Sequence, residues 1–249
     1  GALYSNIGDV AFYNQAYKFI TMCLTITTTI GVVMLPRIVH SKAQEGEKKV
    51  KELTNKTFKI ALFLALPLAF GVAAISVYFI PWFLTNEFRT VGYLLSIMAV
   101  VIVFISLTNV MGTQYLLSLD RDKEYTISVV CGCIINVICN LGLIMYLGAI
   151  GAAISTVITE FLVFLIQYFM VRKTFDFSGV LAKFKRYFLA ALIMGVIIFI
   201  IGYYLGAGIV TNIIQLIVGI AVYFTILFIF KDDLLKFLID KIRQMIQIK

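Results

Sequence analysis

The chain has 249 residues, of which 61% are hydrophobic and 14% are charged, and its formal net charge is +8. Ordinary soluble domains are about half apolar and about a quarter charged, so this composition excludes a soluble globular protein. The apolar stretches are also far longer than the short alternating strands of a membrane β-barrel. The fold class that remains is an all-α, polytopic membrane helical bundle.

Seven apolar stretches follow one another along the chain. They cover residues 12–36, 57–80, 92–119, 125–147, 149–171, 187–205 and 212–230. Each is long enough for a helix that crosses the about 30 Å of hydrocarbon in a bilayer, so we predict seven transmembrane helices. Pro67 lies inside the second stretch and removes one backbone hydrogen bond. We expect a neighbouring helix to satisfy the carbonyl that this proline frees.

The polar segments between the stretches also carry structural signals. Residues 41–56 are rich in Lys and Glu and predict a short surface helix, whereas GAIGAA at 148–153 predicts a tight outer turn. Residues 232–249 place Leu and Ile on one helical stripe and charged residues on the other. This pattern predicts an amphipathic helix on the cytoplasmic leaflet.

Lysine and arginine alternate between rich and poor connections. Of the 21 basic residues, all except Lys18 and Arg89 fall in alternate connections and in the C-terminal tail. The positive-inside rule then predicts an N-terminus outside the cell, a C-terminus in the cytoplasm, and basic loops beside anionic lipid headgroups. A nucleic-acid partner is not needed to explain the net charge. An odd number of crossings from outside leads us to expect the C-terminal part of a larger protein.

Ionisable side chains inside a bilayer are costly, so they are candidates for function by default. Glu160 lies near the predicted midplane and shares a helix face with Thr156 and Gln167. It either lines a cavity or is a protonated acid bonded to a neighbouring helix. Lys18 either extends to the outer headgroups or faces a central cavity as the counter-charge to an anionic substrate.

Four amide side chains are weaker candidates for the same cavity: Asn136, Asn140, Asn109 and Gln114. Amides also join membrane helices through hydrogen bonds, and both interpretations stay open. The four cysteines lack metal-ligand spacing, so we expect no metal site and no cofactor. No catalytic triad or phosphate-binding loop is present, which argues against an enzyme.

Three stretches resemble polysaccharide flippases of the O-antigen or teichoic-acid type. They are VAFYNQAYKF at 10–19, MLPR at 34–37, and above all 112–160, with GTQYLLSLDRDKEYTIS, INVICNLGLI and GAIGAAISTVITE in succession. These flippases belong to the superfamily of multidrug, oligosaccharidyl-lipid and polysaccharide exporters. The resemblance spans nearly the whole chain as the family's C-terminal half.

The resemblance implies a lobe without its first helix at 1–173, two additional transmembrane helices at 174–231, and a cytoplasmic amphipathic tail at 232–249. It implies that the protein moves undecaprenyl-diphosphate-linked oligosaccharide across the bacterial cytoplasmic membrane by alternating access. The expected partners are this lipid-linked oligosaccharide, membrane lipids and a missing N-terminal half. Lys18 is then the candidate contact for the diphosphate, and Glu160 the candidate carrier of a coupling cation.

Three other functions remain open at this point. A cation-coupled multidrug exporter of the same superfamily would bind cationic drugs through acidic cavity residues. A polytopic polysaccharide polymerase or glycosyltransferase would need reactive residues on sizeable outer loops, and the outer loops here carry little beyond Asp9, Glu87 and Arg89. A purely structural membrane subunit is the third alternative.

Overall fold

The computed structural model describes residues 7–175 and 177–247, and within these ranges the regular structure is helical. The α-helices are α1 (Ile7–Glu45), α2 (Glu47–Phe83), α3 (Arg89–Met98), α4 (Val101–Thr108), α5 (Asp122–Val171), α6 (Ser178–Leu205), α7 (Ile209–Ile229) and α8 (Asp233–Gln247). A π-helical segment, Asn109–Leu116, continues α4. The ends of the predicted lobe at residue 1 and of the predicted tail at residue 249 lie outside the described residues.

Six helices in the described part are long and apolar enough to cross a membrane, which confirms a polytopic helical membrane protein. The fourth of these, α5, is 50 residues long and is interrupted at Gly148, whose φ of 55° and ψ of −131° are not helical. The two arms of α5, residues 122–147 and 149–171, contain the fourth and fifth apolar stretches of the sequence, 125–147 and 149–171.

The two arms of α5 pack against each other as an antiparallel hairpin. Asn136 hydrogen-bonds Thr159, and Gln167 hydrogen-bonds Ser128, so both pairs are centred on Gly148. Gly132 also faces Val163 with no room for a methyl group between them. Small residues of this kind allow close approach of helices where no hydrophobic effect drives their association.

Helix α2 is the centre of the bundle, since it contacts α1, α3, α4, α6 and α7. The ring of Phe63 on α2 packs edge-on against Tyr187 of α6 and Tyr223 of α7. Pro67 has no N–H for the carbonyl of Phe63, one turn earlier. The hydroxyl of Tyr223 donates to that carbonyl at 2.8 Å, which confirms the expectation that a neighbouring helix would satisfy it.

The predicted short surface helix at 41–56 is wrong. This segment forms the end of α1 and the beginning of α2, and the two helices meet at Gly46, which has a positive φ of 76°. The charged ends of transmembrane helices can extend past the bilayer, because water solvates their charged side chains. The polarity of this segment therefore did not indicate a separate helix. Lys42, at the end of α1, pairs at 2.5 Å with Asp120, which precedes α5.

Asp232 connects α6, α7 and α8. It lies at the same end of the bundle as the ion pair of Lys42 and Asp120. It is 1% exposed, pairs with Lys183 at 2.6 Å, and accepts hydrogen bonds from the Tyr187 hydroxyl at 3.2 Å. Its Oδ1 also accepts from the backbone N–H of Leu234 at 2.9 Å, so it caps the beginning of α8.

Candidate functional site

A polar cleft lies between α4, the π-helical segment and the two arms of α5. Its volume is about 570 Å³. Its polar lining residues are Thr108, Asn109, Thr113, Tyr125, Asn136, Thr159, Glu160 and Gln167. The cleft therefore contains three of the six candidates from the sequence, which are Asn109, Asn136 and Glu160.

Glu160 is the carboxylate of this cleft, and no basic side chain lines it in the described part of the chain. Glu160 lies one helical turn after Thr156, whose hydroxyl bonds Tyr13 of α1 at 2.8 Å. Because Thr156 donates its proton to the carbonyl of Ala152, Tyr13 is the donor to Thr156. These contacts hold the N-terminal part of α1 against the second arm of α5, beside Glu160.

Asn136 has both roles that the sequence left open. It lines the cleft, and its amide donates to Thr159 at 3.3 Å, so it also joins the two arms of α5. The side-chain amide of Asn140 donates to Oδ1 of Asn136 at 2.8 Å, and Asn140 is not among the residues that line the cleft. The structure thus places Asn140 behind Asn136, where it orients the amide.

Gln114 is buried with 1% of its surface exposed, and it does not line the cleft. Its amide is 3.4 Å from the Oδ1 of Asn109, and both side chains approach Gly31 of α1. A methyl group on Gly31 would lie 2.5 Å from Asn109 Oδ1 and 2.7 Å from Gln114 Nε2. Gln114 and Asn109 therefore meet in a polar contact between α1 and the π-helical segment.

Lys18 is exposed and lies on α1, away from the polar cleft. It forms no ion pair with any residue in the described ranges. An ammonium group within the hydrocarbon layer is costly when it faces lipid, unless its stem carries it to the headgroups. Both interpretations of Lys18 from the sequence are compatible with this position.

A second cavity is an apolar groove between α1, α2, α6 and α7. Its volume is about 460 Å³, and nearly all of its lining is hydrocarbon, with Ser76 and Gln215 among the few polar contributors. Pro67, Gly71 and Gly219 line it, and a methyl group added at either glycine would have no neighbour closer than 3.4 Å. Small residues on facing helices leave this space open.

Sequence reasoning missed the apolar groove and part of the polar cleft. The signal for the groove was the pairing of small residues on two distant spans, Gly71 and Gly219, which a single sequence does not connect. Thr108, Thr113 and Tyr125 carry no periodic or charge signal. They reach the cleft from three different elements, since Thr108 ends α4, Thr113 lies in the π-helical segment and Tyr125 lies on α5.

Comparison with known proteins decides the family. The family model described as lipid II flippase MurJ matches residues 2–219. The chain belongs to the MurJ family of flippases. Flippases are membrane transporters rather than enzymes, so the expectation of a non-enzyme is confirmed. The resemblance to lipid-linked sugar flippases is confirmed at this level.

Two curated relatives show how far this MurJ-family chain has diverged. It is 25% identical over 195 residues to the lipid II flippase MurJ of Bacillus subtilis (strain 168), covering 76% of the chain and 36% of that protein. It is 20% identical over 150 residues to the probable low-salt glycan biosynthesis flippase Agl15 of Haloferax volcanii, covering 60% of the chain and 32% of that protein. The chain spans about a third of the length of these relatives.

A solved structure shares the fold. The chain superposes on lipid II flippase MurJ in an inward closed conformation with a TM-score of 0.80 and 21% identity. The match covers 92% of this chain and 49% of that one. At this identity the likeness establishes the helical arrangement alone.

Proposed function

We propose that this MurJ-family protein is a flippase for undecaprenyl-diphosphate-linked oligosaccharide in the bacterial cytoplasmic membrane, of the O-antigen or teichoic-acid type. The proposal is based on the position of Lys18, a cation without an ion pair among the described residues, on a helix that also borders an apolar groove. A diphosphate needs a cation, and a prenyl chain needs apolar surface. Both are available on α1.

The groove supports a role in holding the lipid. Phe19, Met22 and Ile26 of α1 form one wall, and α7 forms the opposite wall. A prenyl chain loses no hydrogen bonds on entering such a lining and gains contacts with it. We propose that the tail occupies this groove while the diphosphate stays near Lys18.

Alternating access completes the proposed mechanism. The solved flippase is about twice the length of this chain, and we propose that a second lobe faces α1 across a central cavity. Rocking of the two lobes would expose Lys18 first to the cytoplasm and then to the outside. The lobe would be residues 1–173, with 174–231 as two added spans.

We propose seven crossings, with the N-terminus outside and the C-terminus in the cytoplasm. The break at Gly148 and the antiparallel arms of α5 support two crossings within that helix. Residues 232–249 would then form an amphipathic helix on the cytoplasmic leaflet. Buried Leu235 and exposed Lys236, Asp240 and Arg243 agree with that placement, and the side chains of Leu238 and Ile242 lie outside the described ones.

A flipping assay tests the proposed function. The intact protein is reconstituted in vesicles that contain a fluorescent undecaprenyl-diphosphate disaccharide, and outward transfer is followed by quenching. We expect Lys18→Ala to lower the rate about tenfold or more, because one charge-assisted contact is lost, and Lys18→Arg to retain most of it. Arg89→Ala is the matched control for loss of a basic residue at the outer side.

Two results would contradict this assignment. If the unmodified protein does not transfer the lipid, the proposed substrate is wrong. If it does, and Lys18→Ala transfers it at the same rate, Lys18 is outside the mechanism.

One observation favours a second candidate function, a cation-coupled multidrug exporter. Glu160 lines the polar cleft without a basic partner there, which suits a cationic ligand. A drug-resistance assay in cells that lack other exporters separates the two functions. Resistance that the protein confers and that Glu160→Gln removes would favour drug export, whereas no resistance would favour the lipid-linked sugar.

A further inference from the structure

Helix α1 carries a polar stripe on a face that no other described helix covers. The stripe consists of Asn14, Lys18, Thr21, Thr25 and Thr29, all of which are exposed. They recur every three or four residues, so they lie along one side of the helix over about 22 Å, most of the depth of a bilayer's hydrocarbon core. A polar row of this length is unsuited to contact with lipid.

The three threonine hydroxyls of this stripe present acceptors outward. Thr21 donates to the carbonyl of Lys18 at 2.8 Å, and Thr25 donates to the carbonyl of Thr21 at 3.0 Å. Thr29 donates in the same way to the carbonyl of Thr25 at 2.5 Å. A hydroxyl has one proton and two lone pairs, so each of these groups has used its proton and retains acceptor capacity.

The polar stripe lies between surfaces of different chemistry. On one side, Tyr13 holds α1 against Thr156, one turn from Glu160. On the other side, Met22 and Ile26 lie next to Thr21 and Thr25 and line the apolar groove. A ligand that lies along the stripe can therefore keep an apolar part in the groove while a polar part contacts α1.

We propose that Thr21, Thr25 and Thr29 are positioning residues for the sugar headgroup, and that their hydroxyl oxygens accept hydrogen bonds from sugar hydroxyls as the headgroup moves past α1. This inference rests on the proposed function and adds the residues that recognise the sugar. Lys18, which lies one turn from the outer end of the stripe, contacts the diphosphate, whose charge it complements. The acceptor oxygens are spaced about one helical turn apart. A sugar hydroxyl that leaves one acceptor can therefore bond the next, and it is not left without a hydrogen-bond partner.

The test compares two lipid probes with one triple variant. Thr21→Val, Thr25→Val and Thr29→Val together keep the side-chain shape and remove the hydroxyls. Binding of undecaprenyl-diphosphate disaccharide and of sugar-free undecaprenyl diphosphate is measured on the intact protein in nanodiscs. We expect the Kd for the disaccharide lipid to rise about tenfold, as two or three lost hydrogen bonds require, and the Kd for the sugar-free lipid to stay within about twofold.

Two further variants guard against a merely structural effect. Replacing the same three residues with Ser keeps the hydroxyls, and we expect it to restore the affinity for the disaccharide lipid. Thr57→Val is the matched control, because Thr57 also donates to a carbonyl one turn earlier but is buried in α2. We expect its ratio of the two Kd values to equal that of the unmodified protein.

The outcomes separate this inference from the proposed function. If the triple Val variant weakens both probes equally or neither, the hydroxyls do not recognise the sugar and the inference is overturned. If it only lowers thermal stability, the stripe is a protein–protein contact and the inference is equally overturned. If the unmodified protein binds neither probe, the proposed function itself fails.

Discussion

Tyr223 supplies a hydrogen-bond donor that Pro67 removes from the backbone of α2. The proline leaves the carbonyl of Phe63 without a helical donor, and the Tyr223 hydroxyl of α7 supplies one at 2.8 Å. The phenol is 4% exposed, so water has little access to the carbonyl if the hydroxyl is removed. Together with the ring contact between Phe63 and Tyr223, this hydrogen bond holds α7 against the central helix at the wall of the apolar groove.

We predict that Tyr223→Phe lowers the free energy of unfolding by about 1–3 kcal/mol, because it leaves a buried carbonyl unpaired. Thermal unfolding in detergent measures the loss. In a Pro67→Ala background the helix supplies its own N–H, so Tyr223→Phe should then cost much less. Equal costs in the two backgrounds would show that the contact does not compensate for the proline.

Gly112 marks a close approach inside the π-helical segment. A methyl group there would lie 2.8 Å from the Tyr125 ring and 3.0 Å from the Gln167 amide. We predict that Gly112→Ala destabilises the protein by about 1–3 kcal/mol through overpacking. Gly142→Ala, in a helix with nothing within 4 Å of the new methyl, should be neutral or stabilising. Similar melting temperatures for the two variants would contradict the tight contact.

Among the elements, α8 depends on one buried carboxylate. Asp232 caps the helix and pairs with Lys183, whereas its neighbour Asp233 is 84% exposed and contacts the same lysine at 3.1 Å. The hydrogen bond from Lys183 holds the pKa of the Asp233 carboxyl below its usual range. Burial and capping distinguish the two acids, although the sequence presents them as equivalent neighbours.

We predict that Asp232→Ala lowers stability by about 2–4 kcal/mol, because it removes a helix cap and one partner of a buried ion pair. Asp233→Ala should change stability by less than about 1 kcal/mol, since its contact is largely in water. Limited proteolysis between α7 and α8, together with thermal unfolding, measures both variants. Equal protease sensitivity of the two would argue against Asp232 as the anchor of α8.

At the scale of the whole molecule, the number of crossings depends on α5. As a single span, its 50 residues would put Lys123 and Lys173 on opposite sides of the membrane, whereas a hairpin at Gly148 puts them on the same side. The other contacts of charged ends favour the hairpin, because the Lys42–Asp120 pair and the bonds of Arg121 to Thr174 and Met170 bring these segments together.

Cysteine labelling tests this arrangement. In a background without the four native cysteines, we predict that Lys123→Cys and Lys173→Cys react with an impermeant maleimide only after cells are permeabilised. Glu87→Cys and Ala207→Cys should react in intact cells, because both positions are exposed and the proposed orientation puts them outside. Labelling of residues 123 and 173 from opposite sides would contradict seven crossings.

Hydrophobic length predicted much of the fold because it is a local property. The interruption at Gly148 lies between the predicted spans 125–147 and 149–171, where the small residues of the sequence predict a turn. The prediction for 41–56 was wrong for a related reason. A helix with a charged end can continue into water, and its composition does not show where the membrane-spanning part stops. The π-helical segment was also missed, because i to i+5 hydrogen bonding leaves no period that a sequence reveals.

The sequence predicted which residues are candidates for the site, but it did not predict which of them lie together. Glu160, Asn136 and Asn109 meet in one cleft, while Gln114 is buried and Lys18 is on another surface. An intramembrane polar residue stands out in any sequence because its burial in lipid is costly. Which helix face meets which neighbour depends on packing, and that information is distributed over the whole chain.

The sequence by itself determined that this is a helical membrane protein whose apolar stretches contain a rare cation and a rare acid, since hydropathy and charge act residue by residue along the chain. Only the tertiary structure decided that α1 places its polar stripe between a carboxylate-bearing helix and an apolar groove. That arrangement requires α1, α2, α5, α6 and α7 to pack together. The physical reason is that a chemical group acts on a ligand through neighbours that are distant in sequence, and helix packing brings them together.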